Sequence, residues 1–439
     1  MQQMNKSIDP LSGHVGEFAR PKGKHLLDRL MPLHEWVNAR RKSEHWQYMR
    51  ALTSGPVRNA SLLDTNLKRY NGVNFAVQDY LGLSTHPEII DAAREAAVSW
   101  GVHSAGSAGL LGNSRMSWEL QDVIADFTQY SSVKLFPTGW AAAFGVVYGL
   151  IQEDDYVLMD QLSHASLQTG AAAATRNIVR YHHNNLDDLR KKLVKIRANS
   201  PEAGLLVIME SLYSMDSDVP DIKRAQELVH AYDGILLLDV AHDLGNLGVD
   251  GKGFMAEQGM LGKVDLIMGS FSKTFASNGG FVATNHPALD DHLGWFSSSW
   301  PFSNGLSPIQ CAVVAKAFEI IRSDEGQELR QSMLRRVKDL RQHLQGRGLE
   351  VMGQPSAIVP VLVGKPDVIR TASRLLPEMG VFANMVEYPV VPLPRARFRM
   401  QVMASHTEED VIKAADGVAN AVEKARMLLL GSARNVMVS

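Results

Sequence analysis

Residues 265–281, DLIMGSFSKTFASNGGF, begin with a short apolar run and then set Lys273 among small and hydroxylated residues. An ammonium group at the end of a buried strand must be paired or lose its proton, so this lysine either carries chemistry or costs stability. Similar runs flank it: VKLFPTG (133–139), YVLMDQ (156–161), NIVRYHH (177–183), LLVIMES (205–211), ILLLDVAH (235–242) and GFVATN (280–285). Short apolar runs separated by helix-length segments indicate βαβ units and a mostly parallel sheet with helices on both faces, an α/β fold. Ligands of such sheets bind beyond the carboxyl ends of the strands.

Outward from this region, the chain divides into three parts. Residues 1–72 read as an N-terminal arm and helix, 73–307 as the large sheet-bearing domain, and 308–439 as a smaller C-terminal α+β domain. The first 25 residues are polar and rich in Gly and Pro, the composition of a mobile arm. Apolar residues at 26, 30, 33 and 37 then mark a helix, on which Arg40, Arg41 and Lys42 read as a solvated face.

Composition narrows the function classes. Of 439 residues 45% are hydrophobic, and 45 Lys+Arg against 47 Asp+Glu leave a formal charge of −2. No global field therefore points to nucleic acid or an anionic membrane. The single cysteine, Cys311, excludes an intrachain disulfide or a cysteine-based zinc cluster and suits a reducing compartment. No secretory h-region is seen, and no run reaches the roughly 20 apolar residues of a membrane helix, so a cytoplasmic protein without a membrane span is expected.

The predicted strand ends collect an unusual set: Lys273 and Ser270, Asp239 and His242, Ser214, His164, and Thr138, Gly139 and Trp140 ahead of a small-residue helix start. Singly, Asp239 reads as a helix cap, His242 as a core histidine and Gly139 as a turn residue. Together they suit pyridoxal 5'-phosphate (PLP). A lysine amine forms a Schiff base with its aldehyde, a carboxylate pairs with the pyridine nitrogen, and helix N-terminal amides and hydroxyls hold the phosphate. Asp239 and Lys273 lie 34 residues apart, about one βαβ step. No metal site is indicated. A nicotinamide-type Gly-x-Gly-x-x-Gly turn is absent from the sequence.

Eight motifs, in order, carry a resemblance: DYLGLSTHP (79–87), PTGWAAAFG (137–145), DQLSHASLQTG (160–170), ESLYSMDSDVP (210–220), LDVAHDLGNLGVDGKG (238–253), GSFSKTFASNGGF (269–281), PFSNGLSP (301–308) and VVPLPRARFRMQVMASHTEED (390–410). With them the chain, from about residue 70 to 425, resembles the α-oxoamine synthase family of fold-type I PLP enzymes. The resemblance implies that Lys273 binds the cofactor and removes the substrate Cα proton, that Asp239 meets the pyridine nitrogen, and that His242 reaches the phenolic oxygen. It implies that His164 stacks on the ring, that Ser214 lies near the cofactor, and that Gly139, Trp140 and Ser270 hold the phosphate. Ser303 would reach the phosphate of the other subunit, which implies a homodimer with shared active sites. Arg399 would grip the amino acid carboxylate. The implied reaction is a decarboxylating condensation of a small amino acid (serine, glycine or alanine) with an acyl thioester, on CoA or an acyl carrier protein, to an α-amino ketone. Aminotransferase or aldol-type lyase chemistry would use the same Lys273, Asp239 and His242.

Departures from the family pattern fall on the substrate side. Asp79 stands where the family has an asparagine that helps hold the substrate carboxylate, and two carboxylates in one site do not both ionise cheaply. Asp79 is therefore protonated, turned away, or paired with an unusual substrate. Ala108 in GSAGLLGNS (106–114) replaces an arginine and Ser117 a histidine near the thioester entrance, which favours a medium or long apolar acyl chain. Val240 and Asp243 replace a glutamate and a serine, with little effect expected on cofactor binding.

Overall fold

The structure is a computed structural model that describes residues 9–438. Residues 1–8, part of the expected arm, lie outside the described residues. Strands are numbered in chain order. The first three are β1 (Ala51–Leu52), β2 (Asn59–Leu63) and β3 (Arg69–Phe75). Seven follow: β4 (Ser132–Phe136), β5 (Tyr156–Asp160), β6 (Ile178–Tyr181), β7 (Leu205–Glu210), β8 (Ile235–Asp239), β9 (Leu266–Ser270) and β10 (Gly280–Thr284). The last are β11 (Glu350–Val351), β12 (Ile358–Gly364), β13 (Val381–Val386) and β14 (Ala396–Gln401).

The described residues form two units, one of residues 78–332 and one joining residues 9–77 to 333–438. The first of these holds the sheet β4-β10-β9-β8-β7-β5-β6, parallel throughout except for β10. Its strands are the apolar runs of the sequence. Every residue of β7, β9 and β10 is buried, as expected for a sheet covered on both faces. Val146, Val147, Val157, Met159, Leu206, Ile208, Leu237 and Leu266 fill one side. The exception, β10, arises in the opening stretch: β9 does not lead into a crossover helix but turns back through 271–279, closed by the Phe271 amide on the Gly279 carbonyl at 2.9 Å. Gly279, at φ +121°, supplies the backbone conformation that this return needs. Lys273 thus sits in a hairpin loop. The helix Pro308–Arg322, which the sequence reading assigned to the C-terminal domain, belongs to this unit and buries Cys311, whose thiol burial pushes up to about 12.

The other unit is built from both ends of the chain. Its sheet, β1-β2-β3-β13-β14-β12-β11, is antiparallel apart from the pairing of β3 with β13. Residues 51–75 therefore complete a sheet with 350–401 rather than forming part of a separate arm. Residues 11–13 are also held. Arg370 donates to the carbonyls of Leu11 and Gly13, and the Trp36 indole donates to the Ser12 carbonyl at 3.1 Å. Arg40, expected on a solvated face, is 0% exposed. Its guanidinium lies over the Trp36 ring at 4.7 Å and meets Glu387, which also accepts from Arg370 at 2.7 Å and from the Tyr48 hydroxyl at 3.1 Å. A local charge run cannot reveal a counter-charge some 350 residues away.

Candidate active site

In the unit of residues 78–332, β5, β7, β8 and β9 end in Asp160, Glu210, Asp239 and Ser270, all four buried. Parallel register sets Glu210 beside Asp239. Asp239 Oδ1 accepts the Ala241 amide at 2.9 Å. Burial pushes the Asp239 carboxyl above its usual range, while the charges of Lys273 and His164 oppose that rise. Lys273, Asp239 and His164, far apart in sequence, therefore share one electrostatic site. Lys273 itself is half-buried.

His164 caps the helix Ala165–Ala174. Its Nδ1 lies 2.6 Å from the Ser166 hydroxyl and accepts the Ser166 amide at 3.3 Å, which places any single ring proton on Nε2. His242 Nδ1 is 2.9 Å from the hydroxyl of Tyr80, which is fully buried. Thr138 caps the helix Gly139–Leu150 through the Ala141 amide at 2.9 Å, and the first turn of that helix holds Gly139 and Trp140. A Cβ at Gly139 would come within 2.4 Å of Ser270 Oγ, so only glycine lets the helix N-terminus approach this hydroxyl. Ser214 is buried in the loop after β7.

Asp79 is 5% exposed, and both its oxygens are taken up within its own turn: Oδ1 accepts the Leu83 amide at 2.9 Å and Oδ2 the Ser84 amide at 3.0 Å. Burial raises its carboxyl above the usual range, opposed by these hydrogen bonds. Ala108 is buried, and Ser117 forms a capping box with Ser114. The Ala108 loop joins the loop of Ser303: Ser107 Oγ donates to the Pro301 carbonyl at 2.6 Å and the Gly305 amide to the Gly106 carbonyl at 2.9 Å. Ser303 is half-buried there. Arg399 belongs to the other unit, where it is 8% exposed on β14 between Asn384 of β13 and Pro360 of β12.

Sequence reasoning passed over three groups. Tyr80 lies within the DYLGLSTHP motif, where the resemblance implies no role for it. Glu210, at the end of an all-apolar strand, receives the backbone amides of Ser214 and His164. Burial and the neighbouring Asp239 hold its carboxyl well above the ordinary range. Asn246 donates to Thr274 Oγ1 at 2.8 Å and to the His242 carbonyl at 3.0 Å, joining the turn after Asp239 to the residue after Lys273. A carboxylate closing an apolar run was the available signal for Glu210; the contacts of Asn246 leave none in sequence.

An amine, a buried carboxylate and a helix N-terminus beside a hydroxyl are the groups that PLP requires, and the residues present fit it. The profile of the class I and II aminotransferases matches residues 70–418. Serine palmitoyltransferase of Sphingobacterium spiritivorum is 31% identical over 353 residues, covering 80% of this chain and 87% of that protein. The 8-amino-7-oxononanoate synthase of Marinomonas sp. (strain MWYL1) is 30% identical over 345 residues, covering 78% and 84%. The chain belongs to the α-oxoamine synthases, within the class I and II aminotransferase family. A high-resolution structure of SPT with PLP matches this α-oxoamine synthase with a TM-score of 0.84 at 25% identity, over 92% of this chain and 99% of that one. The chain is accordingly a PLP-dependent acyltransferase. Among the described residues no helix is long and apolar enough to cross a membrane, and no group of His, Cys, Asp and Glu could hold a metal ion.

Proposed function

We propose that this α-oxoamine synthase condenses a small amino acid (serine, glycine or alanine) with a medium- or long-chain acyl thioester, releasing carbon dioxide and free thiol and leaving an α-amino ketone. The observation that carries the reading is the buried Asp239 carboxylate at the end of β8, beside β9 and the loop that carries Lys273, at the carboxyl edge of the sheet. PLP, when bound, supplies the electron sink that makes the amino acid Cα–H acidic. Lys273 holds the cofactor and then, as a free amine, takes the Cα proton and later returns one. Asp239 keeps a proton on the pyridine nitrogen. His242, oriented by Tyr80, donates toward the phenolic oxygen, and His164 covers the ring. The amides of Gly139 and Trp140 and the hydroxyl of Ser270 bind the phosphate, with Ser214 beside the cofactor.

Arg399 binds the amino acid carboxylate, a task for which a guanidinium fork is suited. Asp79 does not share it: with both oxygens on local amides, it shapes the turn that presents Tyr80. The buried Ala108 in place of an arginine favours an apolar acyl chain over a carboxylated one. The thioester is borne by CoA or an acyl carrier protein. Two copies complete the site, Ser303 of one reaching the phosphate bound by the other. Leu110, Leu111 and Phe302, each more than 85% exposed on the paired loops around Ser303, suit burial against a second copy in a cytoplasmic homodimer.

The test is product analysis on purified protein given PLP, each amino acid in turn and acyl thioesters of graded length. Carbon dioxide and free thiol in equal amounts support condensation. Keto acid or aldehyde without thiol release would instead establish an aminotransferase or an aldol-type lyase.

A further inference from the structure

The carboxyl edge of the same sheet holds one more set of titratable groups, half-buried at His183 and Asp218 and buried at Asp160. The His183 ring stands between two carboxylates, with Nδ1 2.9 Å from Asp160 Oδ1 and Nε2 2.7 Å from Asp218 Oδ2. Ionised carboxylates only accept, so an imidazole that satisfies both carries two N–H donors and a positive charge. Asn184 repeats the bridge, its amide donating to Asp160 Oδ2 at 2.9 Å and its side chain to Asp218 Oδ2 at 2.6 Å. The Tyr213 ring meets His183 edge-on at 4.5 Å, and Tyr181 lies close to Asp160. Burial opposes the charge on His183, yet the two carboxylates hold it up to about 10, so the bridge stays charged across the neutral range.

Both acidic residues belong to loops that bring groups to the cofactor, Asp160 holding its loop through carboxylate and backbone and Asp218 through its backbone carbonyl. Asp160 Oδ1 also accepts the Leu162 amide at 2.9 Å and its carbonyl the Ser163 amide at 3.0 Å, which sets the turn leading into His164. The Asp218 carbonyl accepts the Tyr213 amide at 3.0 Å and the Tyr213 carbonyl the Ser217 amide at 2.9 Å, folding the loop that contains Ser214. We propose that His183 is a positioning residue: the Asp160–His183–Asp218 bridge ties the turn carrying His164 to the loop carrying Ser214 and sets both against bound PLP. The role assigned to the bridge is to act through His164 and Ser214 rather than to touch substrate or cofactor. Its role rests on the assignment of His164 and Ser214 made above.

The test uses the full chain with His183→Gln and Asp218→Asn. Each apoprotein is titrated with PLP, and the visible circular dichroism of the bound cofactor is followed from pH 6 to 9 beside the thermal midpoint of the apoprotein. Wild-type amplitude should be flat over that range. His183→Gln should bind PLP about tenfold more weakly, with reduced dichroism at every pH. In Asp218→Asn one carboxylate remains, so His183 titrates nearer the ordinary value of about 6.5 and dichroism declines as pH rises past it. A folded His183→Gln with wild-type affinity and dichroism overturns the proposal. Should His183→Gln not fold, Asp218→Asn decides: a profile as flat and as strong as wild type overturns it. Lys273→Ala separates the two readings. If it keeps the wild-type cofactor band, the site assignment fails; if it loses the band while His183→Gln binds normally, only the bridge fails.

Discussion

Replacing Asp243 by asparagine should make the protein more stable at pH 8 than at pH 5, relative to wild type. Asp243 is 0% exposed, takes the Ser211 hydroxyl at 2.5 Å and the Phe254 amide at 2.7 Å, and stands in the field of Asp239. Burial raises its carboxyl to about 6 in spite of these hydrogen bonds. A raised carboxyl is favourable to the fold while protonated and loses stability as pH climbs from the unfolded value toward the folded one. Carrying the group from about 4 to about 6 costs about 3 kcal/mol once both states are ionised, and roughly half of that by pH 5. Asparagine keeps both contacts, its oxygen accepting from Phe254 and its amide donating to Ser211, and never ionises. Thermal midpoints of the two proteins, measured without added PLP from pH 5 to 8, should diverge by about 1–2 °C toward alkaline pH. A variant less stable than wild type at pH 8, or one whose advantage is the same at pH 5 and pH 8, refutes the reasoning.

Lys273→Ala should abolish the visible band of bound PLP while leaving the apoprotein midpoint within about 2 °C of wild type, since the side chain is half-buried in a loop; persistence of the band in spectrophotometry counts against its assignment. Gly139→Ala forces a Cβ against Ser270 Oγ, so PLP affinity should fall about tenfold or more and recover in part when Ser270 is also made glycine; unchanged binding by equilibrium titration contradicts the close approach. Glu387→Ala leaves Arg40 and Arg370, both at most 2% exposed, without their counter-charge, and should cost about 3–5 kcal/mol in denaturant unfolding. An unchanged midpoint would show that solvent reaches the pair.

Much of this protein is written in short-range physics. Apolar runs of strand length specify buried strands, and the polar residues that close those runs mark the edge where ligands bind. That reasoning located Lys273, Asp239, His242, His164 and Ser214 on one sheet edge and identified the α/β fold and its cofactor. The order of the motifs then disclosed the family. The remainder is set by the folded chain, because it depends on pairings between distant residues. It turned β10 antiparallel, so that Lys273 lies in a hairpin loop rather than before a crossover helix. It joined residues 51–75 to 350–401 in one sheet and buried Arg40 against Glu387. It gave both oxygens of Asp79 to amides four and five residues on, and placed Glu210 beside Asp239 through register alone. A polar side chain has no preference for burial until its partners are assembled, and those partners are chosen by the fold.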